Sequence, residues 1–471
     1  MPQLDLSIYL KALAIPPDFT RLESISDQDA ISNLFSWKQK ASTVLGDLLH
    51  ILQSKDGENL SLEAKADVLF VSAPFLPQNL IRDEDIFDPS NEMEPWITPE
   101  AQRTAQEVVS SPLLSPSKGL VTFVLTHNLK PIFNSSPHPL LHLGTGRRLP
   151  RPAGGPMGMH DYYEGQLWKQ YPGIDKVVLW CVQSIEGDAY ESLWHLVIPP
   201  IMAFLDDFEA RYKLHGIAIV QEMLRHVPKD LVKRTGVDGL LKQSFRACMS
   251  HLQSPETPLL LKKSIVASIS LTLLTTSVSI GTKPSSSRFD ELSSLLGEGI
   301  ISGIWLYADD KPEVVKATFD ALPPLLSALS IGCVRFFKAL IPQLTHVLIP
   351  QPTIDSDRKI QLSAIRVLDT LLDVGRPRVE FWKETILDAV GRCWVGLIDE
   401  STSMQVNGTS RSSLEAFTLK GDVKEGLQSL CIRLAEVCPS VIENEFPRFI
   451  QADRALFEEL IPTSIGSVVK A

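Results

Sequence analysis

Two acidic doublets, Asp206-Asp207 and Asp309-Asp310, are the pairs in this 471-residue chain that could in principle share a metal ion or divide acid and base roles. Adjacent side chains point in different directions, however, and aspartates at helix ends serve backbone donors, so both doublets read as turn residues. The six cysteines, Cys181, Cys248, Cys333, Cys393, Cys431 and Cys438, each lie in an apolar helical run with no CxxC or Cys/His spacing. They read as buried free thiols rather than zinc ligands. The ten histidines are scattered, without HExxH or His-x-His pairing, and neither a GxSxG elbow nor a kinase motif set occurs. Gly144-Thr145-Gly146-Arg147-Arg148 has the outline of a phosphate loop but lacks the Lys-Ser/Thr and the strand-to-helix setting, and reads as an exposed basic loop. The expectation is a protein that is not an enzyme, with no catalytic residues, no cofactor and no metal.

Helices must position these residues. From Trp194 to Leu205, apolar Leu196, Ile198, Ile201, Met202 and Leu205 mark one helical face, and Pro199 and Pro200 interrupt it, which predicts a kink or break near Ile198. Asp206-Asp207 ends the run and is expected to supply N-cap oxygens to a second helix, Arg211 to His226, which buries Leu214, Ile217, Ile219, Met223 and Leu224. Gly216 lies on it where a partner helix can approach closely, and Val227-Pro228 stops it. Two amphipathic helices joined by a short acidic turn cannot bury their apolar faces alone and need stacked neighbours of the same kind. A proline in the first helix, an Asp at the turn and a basic residue early in the second, Lys213, follow the HEAT-repeat layout. The expected fold class is all-α, an α-solenoid of HEAT-like helix pairs.

Further pairs follow at 238–252 with 259–278, 289–307 with 312–329, 336–348 with 357–372 and 379–398 with 420–437, and 441–461 forms a closing half-repeat. Upstream, 27–53 and 62–75 read as helices, and Thr98-Pro99-Glu100 opens another with a cap, a proline and an acid in order. The punctuation between elements is a break at 55–57, an acidic loop at 82–94, a linker at 282–288, a turn at 352–355 and a polar insertion at 399–413. The segment 110–165 is dense in Pro and Gly and is expected to hold little order beyond a helix at 120–132. The domains predicted are therefore an N-terminal helical region (1–109), this low-order segment (110–165) and a HEAT-like solenoid (166–471). Trp180, Trp194, Trp305, Trp382 and Trp394 read as core anchors.

Lys and Arg number 45 against 56 Asp and Glu, a net charge of −11, which argues against a nucleic-acid-binding body. Asp5 and Lys11 interrupt the first turns, so no secretory signal is expected. The nineteen uncharged residues between Lys263 and Lys283 are long enough to span a bilayer but nearly half Ser or Thr, and read as a buried helix rather than a membrane segment.

The run from Leu179 to Leu224 resembles the Tel-two-interacting protein two family, whose members are subunits of the Triple T co-chaperone complex. Trp180-Cys181, Pro199-Pro200, Leu205-Asp206-Asp207 and Tyr212-Lys213-Leu214-His215-Gly216 carry the resemblance, which covers about a tenth of the chain. It implies a non-enzymatic scaffold, cytoplasmic with a nuclear fraction, that binds the larger Tel-two-interacting subunit and the Tel-two protein. Through them it would support phosphatidylinositol-3-kinase-related kinases, with the ninety-kilodalton heat-shock chaperone, in growth and DNA-damage signalling. Candidate interaction or repeat-signature residues are Trp180, Pro199, Pro200, Asp206, Asp207, Arg211, Lys213 and Gly216, with Asp206, Asp207, Arg211 and Lys213 forming a surface at the turn or merely positioning helices within the repeat. The alternative is a karyopherin-like transport adaptor, an acidic helical solenoid whose inner-face ladder of Trp and Asn this chain lacks.

Overall fold

Three helices of the N-terminal part of the chain begin where capping hydroxyls fall. Thr98 accepts the Ala101 N–H at 3.1 Å, Pro99 takes the first helical position, and Glu100 sits at the positive end of the Pro99–Val109 helix. Ser61 and Ser117 do the same for the helices Leu62–Ser72 and Lys118–Phe123. The computed structural model describes residues 6–19, 28–54, 60–77, 94–276, 286–350, 358–404 and 411–461. The break at 55–57, the acidic loop 82–93, the linker residues 282–285, the turn 352–355 and the centre of the polar insertion, 405–410, lie outside the described residues. Among the described residues all regular structure is helical apart from one isolated bridge between Leu141 and Arg148, so the chain is all-α.

Contacts divide the chain into two compact units, Met1–Lys263 and Ser264–Ala471, with the boundary inside the Thr257–Thr275 helix. In the first unit, the helices Gln28–Gln53 and Pro99–Val109 close a core of Leu45, Leu48, Leu52, Val68, Phe75, Ala105 and Val108. At its centre is the helix Tyr190–Leu205, in which 13 of 16 residues are buried, so it is covered all round rather than on one face. Pro199 and Pro200 do not break it. A proline costs a helix its N–H bond and crowds the preceding turn, but here both rings are buried between Ile198 and Ile201, and packing keeps the helix continuous where local propensity would end it. Its partner, Ala210–His226, packs along it and against Ile174–Gln183. The approach is close at Gly216, where a Cβ would lie 2.9 Å from Leu205 N and 3.0 Å from Phe204 Cβ.

Residues 110–165 depart from the low-order expectation. The helical run from Lys118 to Phe133, with a π-helical stretch at Val124–Leu129, is followed by a loop tied down by backbone bonds, Leu149 N–H to Leu140 O and Arg148 N–H to Thr235 O, both 2.8 Å. Gly146, at φ +63°, lets the loop backbone meet Trp194, and a Cβ there would stand 2.9 Å from the Trp194 ring. Pro and Gly here shape a packed loop. Arg147 and Arg148 remain exposed beside the buried Gly146.

The Thr257–Thr275 helix is long and apolar enough to cross a membrane by length and composition, and over half of it is buried inside the protein. Its hydroxyls return to the backbone, Ser268 to Ser264 O at 2.8 Å and Thr275 to Leu271 O at 2.7 Å, which explains how so many Ser and Thr are accommodated. A second apolar run, 312–348, is divided by Ser330, at φ +50°, into the helices Pro312–Leu329 and Phe337–Leu348 with a 3-10 stretch between them.

In the second unit, Arg358–Val374 packs between Pro312–Leu329 and Arg411–Val437, while Phe337–Leu348 and Lys383–Met404 pack against each other beside it. The Asp309-Asp310 turn is exposed and precedes Pro312 without a side-chain cap. Trp305 and Trp394 are buried and donate to Thr318 Oγ1 and Leu456 O at 2.8 Å each, whereas Trp180 and Trp382 are only half-buried.

Gly216→Ala should lower the stability of the first unit by on the order of 1–3 kcal/mol, because backbone, not a flexible side-chain end, stands against the added methyl. Gly421→Ala, at an exposed helical position with open space around its Cβ, should be neutral or stabilising by up to about 1 kcal/mol. Denaturant midpoints of the two variants measure this, and equal midpoints would refute the close approach.

Candidate functional site at the acidic turn

The residues joining the central pair carry more charge than their exposure would suggest. Asp206 ends the first helix, its N–H bonded to Met202 O at 3.0 Å. Its carboxylate meets Ser244 Oγ at 2.7 Å and His138 Nε2 at 2.9 Å. His138 Nδ1 accepts the Leu140 N–H at 3.0 Å, so the ring proton sits on Nε2 and is donated to Asp206. Ser244 thus donates to the carboxylate and not to the imidazole, so this Ser, His and Asp do not form a nucleophile relay.

Asp207 is 2% exposed. Its Oδ1 accepts the Glu209 N–H at 2.9 Å and its Oδ2 lies 2.7 Å from Lys169 Nζ. The expected N-cap is therefore corrected: the Ala210–His226 helix starts after an extended Glu209 with no side-chain cap, and Asp207 instead closes the turn two residues earlier. Lys213, 4% exposed, donates to Leu205 O at 2.9 Å and so caps the C-terminal end of the first helix with a cation.

Beneath these charges lies an aromatic bed. Trp168 packs edge-on against Phe204 and Tyr212, both with ring centroids at 4.8 Å, and Phe133 adds a third contact to Phe204 at 5.7 Å. Lys169 stands over Tyr212 at 5.0 Å, and Arg211 lies over the same ring at 4.6 Å while bonding Glu209 at 2.9 Å. Burial pushes the Tyr212 phenol up to about 12, against the pull of Arg211, so it stays neutral. Phe208, 67% exposed, leans on Tyr163 at 4.6 Å. Phe208, Glu209 and Arg211 are the parts of the turn that solvent reaches.

Next to the turn, Asp175 and His215 pair at 2.7 Å. Burial alone would raise the Asp175 carboxyl, but the His215 charge and hydrogen bond, helped by Lys176, outweigh it and hold it at about 2. Lys176 donates to Pro74 O and Leu76 O, and burial pulls its pKa down. Glu94 is raised by burial despite Arg211 and Lys176 nearby.

Of the residues singled out from sequence, Asp206, Asp207, Arg211, Lys213 and Gly216 come together at this turn. Pro199 and Pro200 are buried along the first helix, and Trp180 is half-buried, its carbonyl accepting Ser184 Oγ at 2.6 Å. His138, Lys169, Glu209 and Ser244 complete the network and were not apparent from spacing. His138 is 68 residues before Asp206 in the Pro/Gly-rich segment, so no local period links them. The six cysteines are free and buried, and burial pushes the thiols of Cys333 and Cys438 up to about 11 and that of Cys431 to about 12. Among the described residues no group of three His, Cys, Asp or Glu is placed to hold a metal ion.

The proline-bearing helix and its acidic turn lie inside a longer stretch that matches a known family. The sequence model of the Tti2 family matches residues 87–356, more than half of the chain, and the chain belongs to that family. TELO2-interacting protein 2 of Homo sapiens is 25% identical over 164 residues, which cover 35% of this chain and 28% of the human protein. The matched stretch thus spans under a third of the human relative's length.

Folding lowers the Asp175 pKa from 3.8 to about 2, so the folded state favours the carboxylate. Its stabilisation, on the order of 2 kcal/mol, is fully present above about pH 4 and lost as pH falls toward 2. Asp175→Asn should lower stability near neutral pH and flatten the acid limb of the stability curve between those values. An unchanged acid limb in thermal unfolding scans would remove the ion pair from the account.

Proposed function

We propose that this chain is a non-enzymatic scaffold subunit of the Triple T co-chaperone complex, and the observation that carries the reading is the family match over residues 87–356. The human relative's name supports a partner, TELO2, and we extend that association to this chain together with the larger Tel-two-interacting subunit. Phosphatidylinositol-3-kinase-related kinases and the ninety-kilodalton heat-shock chaperone would be engaged indirectly, in the cytoplasm and the nucleus, with neither nucleic acid nor membrane as a partner. Within each unit we read the packed helix pairs as HEAT-like repeats, because second helices of successive pairs, Pro312–Leu329, Arg358–Val374 and Arg411–Val437, contact one another in sequence order. Such stacking presents extended surfaces to other helical proteins without an active site.

Asp206, Asp207 and Lys213 spend their polar groups inside the protein, which leaves Phe208, Glu209 and Arg211 as the contact residues of the turn. Affinity purification of the tagged chain from its own cells, with mass spectrometry, should recover two larger helical-repeat subunits at stoichiometric yield and the kinases below it. Phe208→Ala, which removes an exposed ring, should reduce that recovery by roughly ten-fold while leaving the thermal midpoint nearly unchanged. Recovery of nuclear-import cargo and a small GTPase would instead favour the karyopherin-like adaptor, and recovery of no partner would leave only the fold.

A further inference from the structure

In the first unit, the loop 142–148 and the corner 233–239 bring together cations that no acid of the chain answers. The loop is closed on itself, the His142 N–H donating to Arg147 O at 2.9 Å and the Gly146 N–H to His142 O at 2.8 Å. The Arg148 N–H donates to Thr235 O at 2.8 Å, which brings Arg147 and Arg148 to the end of the short helix that carries Lys233. All three residues are exposed, and among the described residues no carboxylate lies within ion-pair distance of any of them. We propose that this surface docks an acidic segment of a partner polypeptide, whose Asp and Glu carboxylates meet these cations. The inference does not depend on the turn at residues 206 and 207 or on the co-chaperone reading.

Arg148 is held in place without an anion. Its side chain is laid along two glycines: a Cβ at Gly236 would stand 3.2 Å from Arg148 Cβ, and one at Gly239 would stand 2.7 Å from Arg148 Nη1. The acids of this corner are engaged or out of reach. Glu191 is taken by Arg234, Asp238 lies 3.9 Å from Lys242 on its own helix, and Asp230 stays beyond ion-pair distance of Lys233. The guanidinium also lies beside the first turn of Val237–Met249, the positive end of that helix, where an added anion relieves the unfavourable placement of a cation. Gly146 abuts the backbone of His195, whose imidazole pKa is pulled down by burial first and then by the Lys130 charge. Lys130 is exposed and likewise without an acidic partner, so it extends the positive surface.

The charge pattern selects the occupant. The chain as a whole carries −11, so a dense polyanion such as a nucleic acid or an anionic bilayer is repelled by the field outside this patch. Glu191, 68% exposed, also stands within the patch and would repel a uniform phosphate surface. A polypeptide avoids both costs. It sets acids against Arg147, Arg148 and Lys233 and a neutral residue against Glu191. Guanidinium groups fork onto carboxylates in bidentate pairs, which adds geometry to the charge match. Leu143, 44% exposed on the same loop, offers contact to an apolar side chain placed between the acids. A loop already closed by its own hydrogen bonds loses little freedom on docking.

The probe is the peptide Asp-Glu-Leu-Glu-Asp-Glu, amidated and carrying fluorescein at its N-terminus, titrated onto the full chain by anisotropy beside its neutral counterpart Asn-Gln-Leu-Gln-Asn-Gln. The acidic peptide should bind about ten-fold tighter than the neutral one. Arg147→Gln with Lys233→Gln should weaken it roughly five-fold at an unchanged thermal midpoint, because neither side chain has an ion-pair partner to lose. Arg392→Gln with Arg448→Gln makes the same change of net charge on exposed side chains of the second unit and should leave the affinity unchanged. Equal binding of the two peptides, no binding by the wild-type chain, or an equal loss in both double variants would overturn the proposal. A phosphoserine peptide of the same charge binding where the carboxylate peptide does not would overturn the carboxylate assignment. Oligodeoxythymidylate or phosphatidylserine vesicles binding more tightly than the peptide, with the same dependence on Arg147 and Lys233, would overturn the polypeptide source.

Discussion

A buried charge must find a partner, and the stretch from Asp206 to Lys213 buries two charges and shields a third. Asp206 lies in a shielded position, Asp207 is 2% exposed and Lys213 4% exposed. Removing one partner from a buried pair costs on the order of 3–5 kcal/mol, because the remaining charge cannot be solvated. The partners come from separate stretches of chain: His138 from the Pro/Gly-rich segment, Lys169 from the approach to the central pair, Ser244 from the helix Val237–Met249, and the Leu205 carbonyl from the first helix itself. Satisfying this one turn therefore fixes how four elements of the first unit meet.

The same economy of buried polar groups recurs in the second unit. Lys316 and Asp320 pair at 2.8 Å on one helix, and Asp320 also accepts Ser363 Oγ from Arg358–Val374. Ser363 there plays the part that Ser244 plays for Asp206, a hydroxyl on a neighbouring helix answering a shielded carboxylate. These contacts supply register more than net stability, since apolar residues of the same volume would often pack as well.

Helical periodicity and caps made much of the fold legible. Thr98-Pro99-Glu100 opens a helix where its chemistry requires, and the apolar spacing of Leu214, Ile217 and Met223 marks a face that is buried. Where sequence reading fell short, tertiary packing had overridden a local rule. Pro199 and Pro200 predict a kink or a break near Ile198, but the helix runs on through both, because one covered on all sides cannot end there without opening its core. Pro and Gly density predicts little order in 110–165, yet Gly146 is needed for contact with Trp194 and the loop backbone is bonded to Thr235 O. The turn aspartates were visible as a doublet, but their partners were not, because hydrogen bonds across 38 and 68 residues leave no periodic trace. Family membership came from the longer stretch 87–356, of which the recognisable run 179–224 is a part.

The central claim is that the Asp206 carboxylate joins the Pro/Gly-rich loop, the acidic turn and the Val237–Met249 helix into one cooperative body. Amide hydrogen exchange on the full chain, comparing wild type with His138→Ala, tests it most directly. The account predicts that exchange rises together in 138–149, at 206–209 and around Ser244, because the amides share one opening event. A rise confined to the residues beside position 138, with the turn and the Ser244 helix as protected as before, would contradict it.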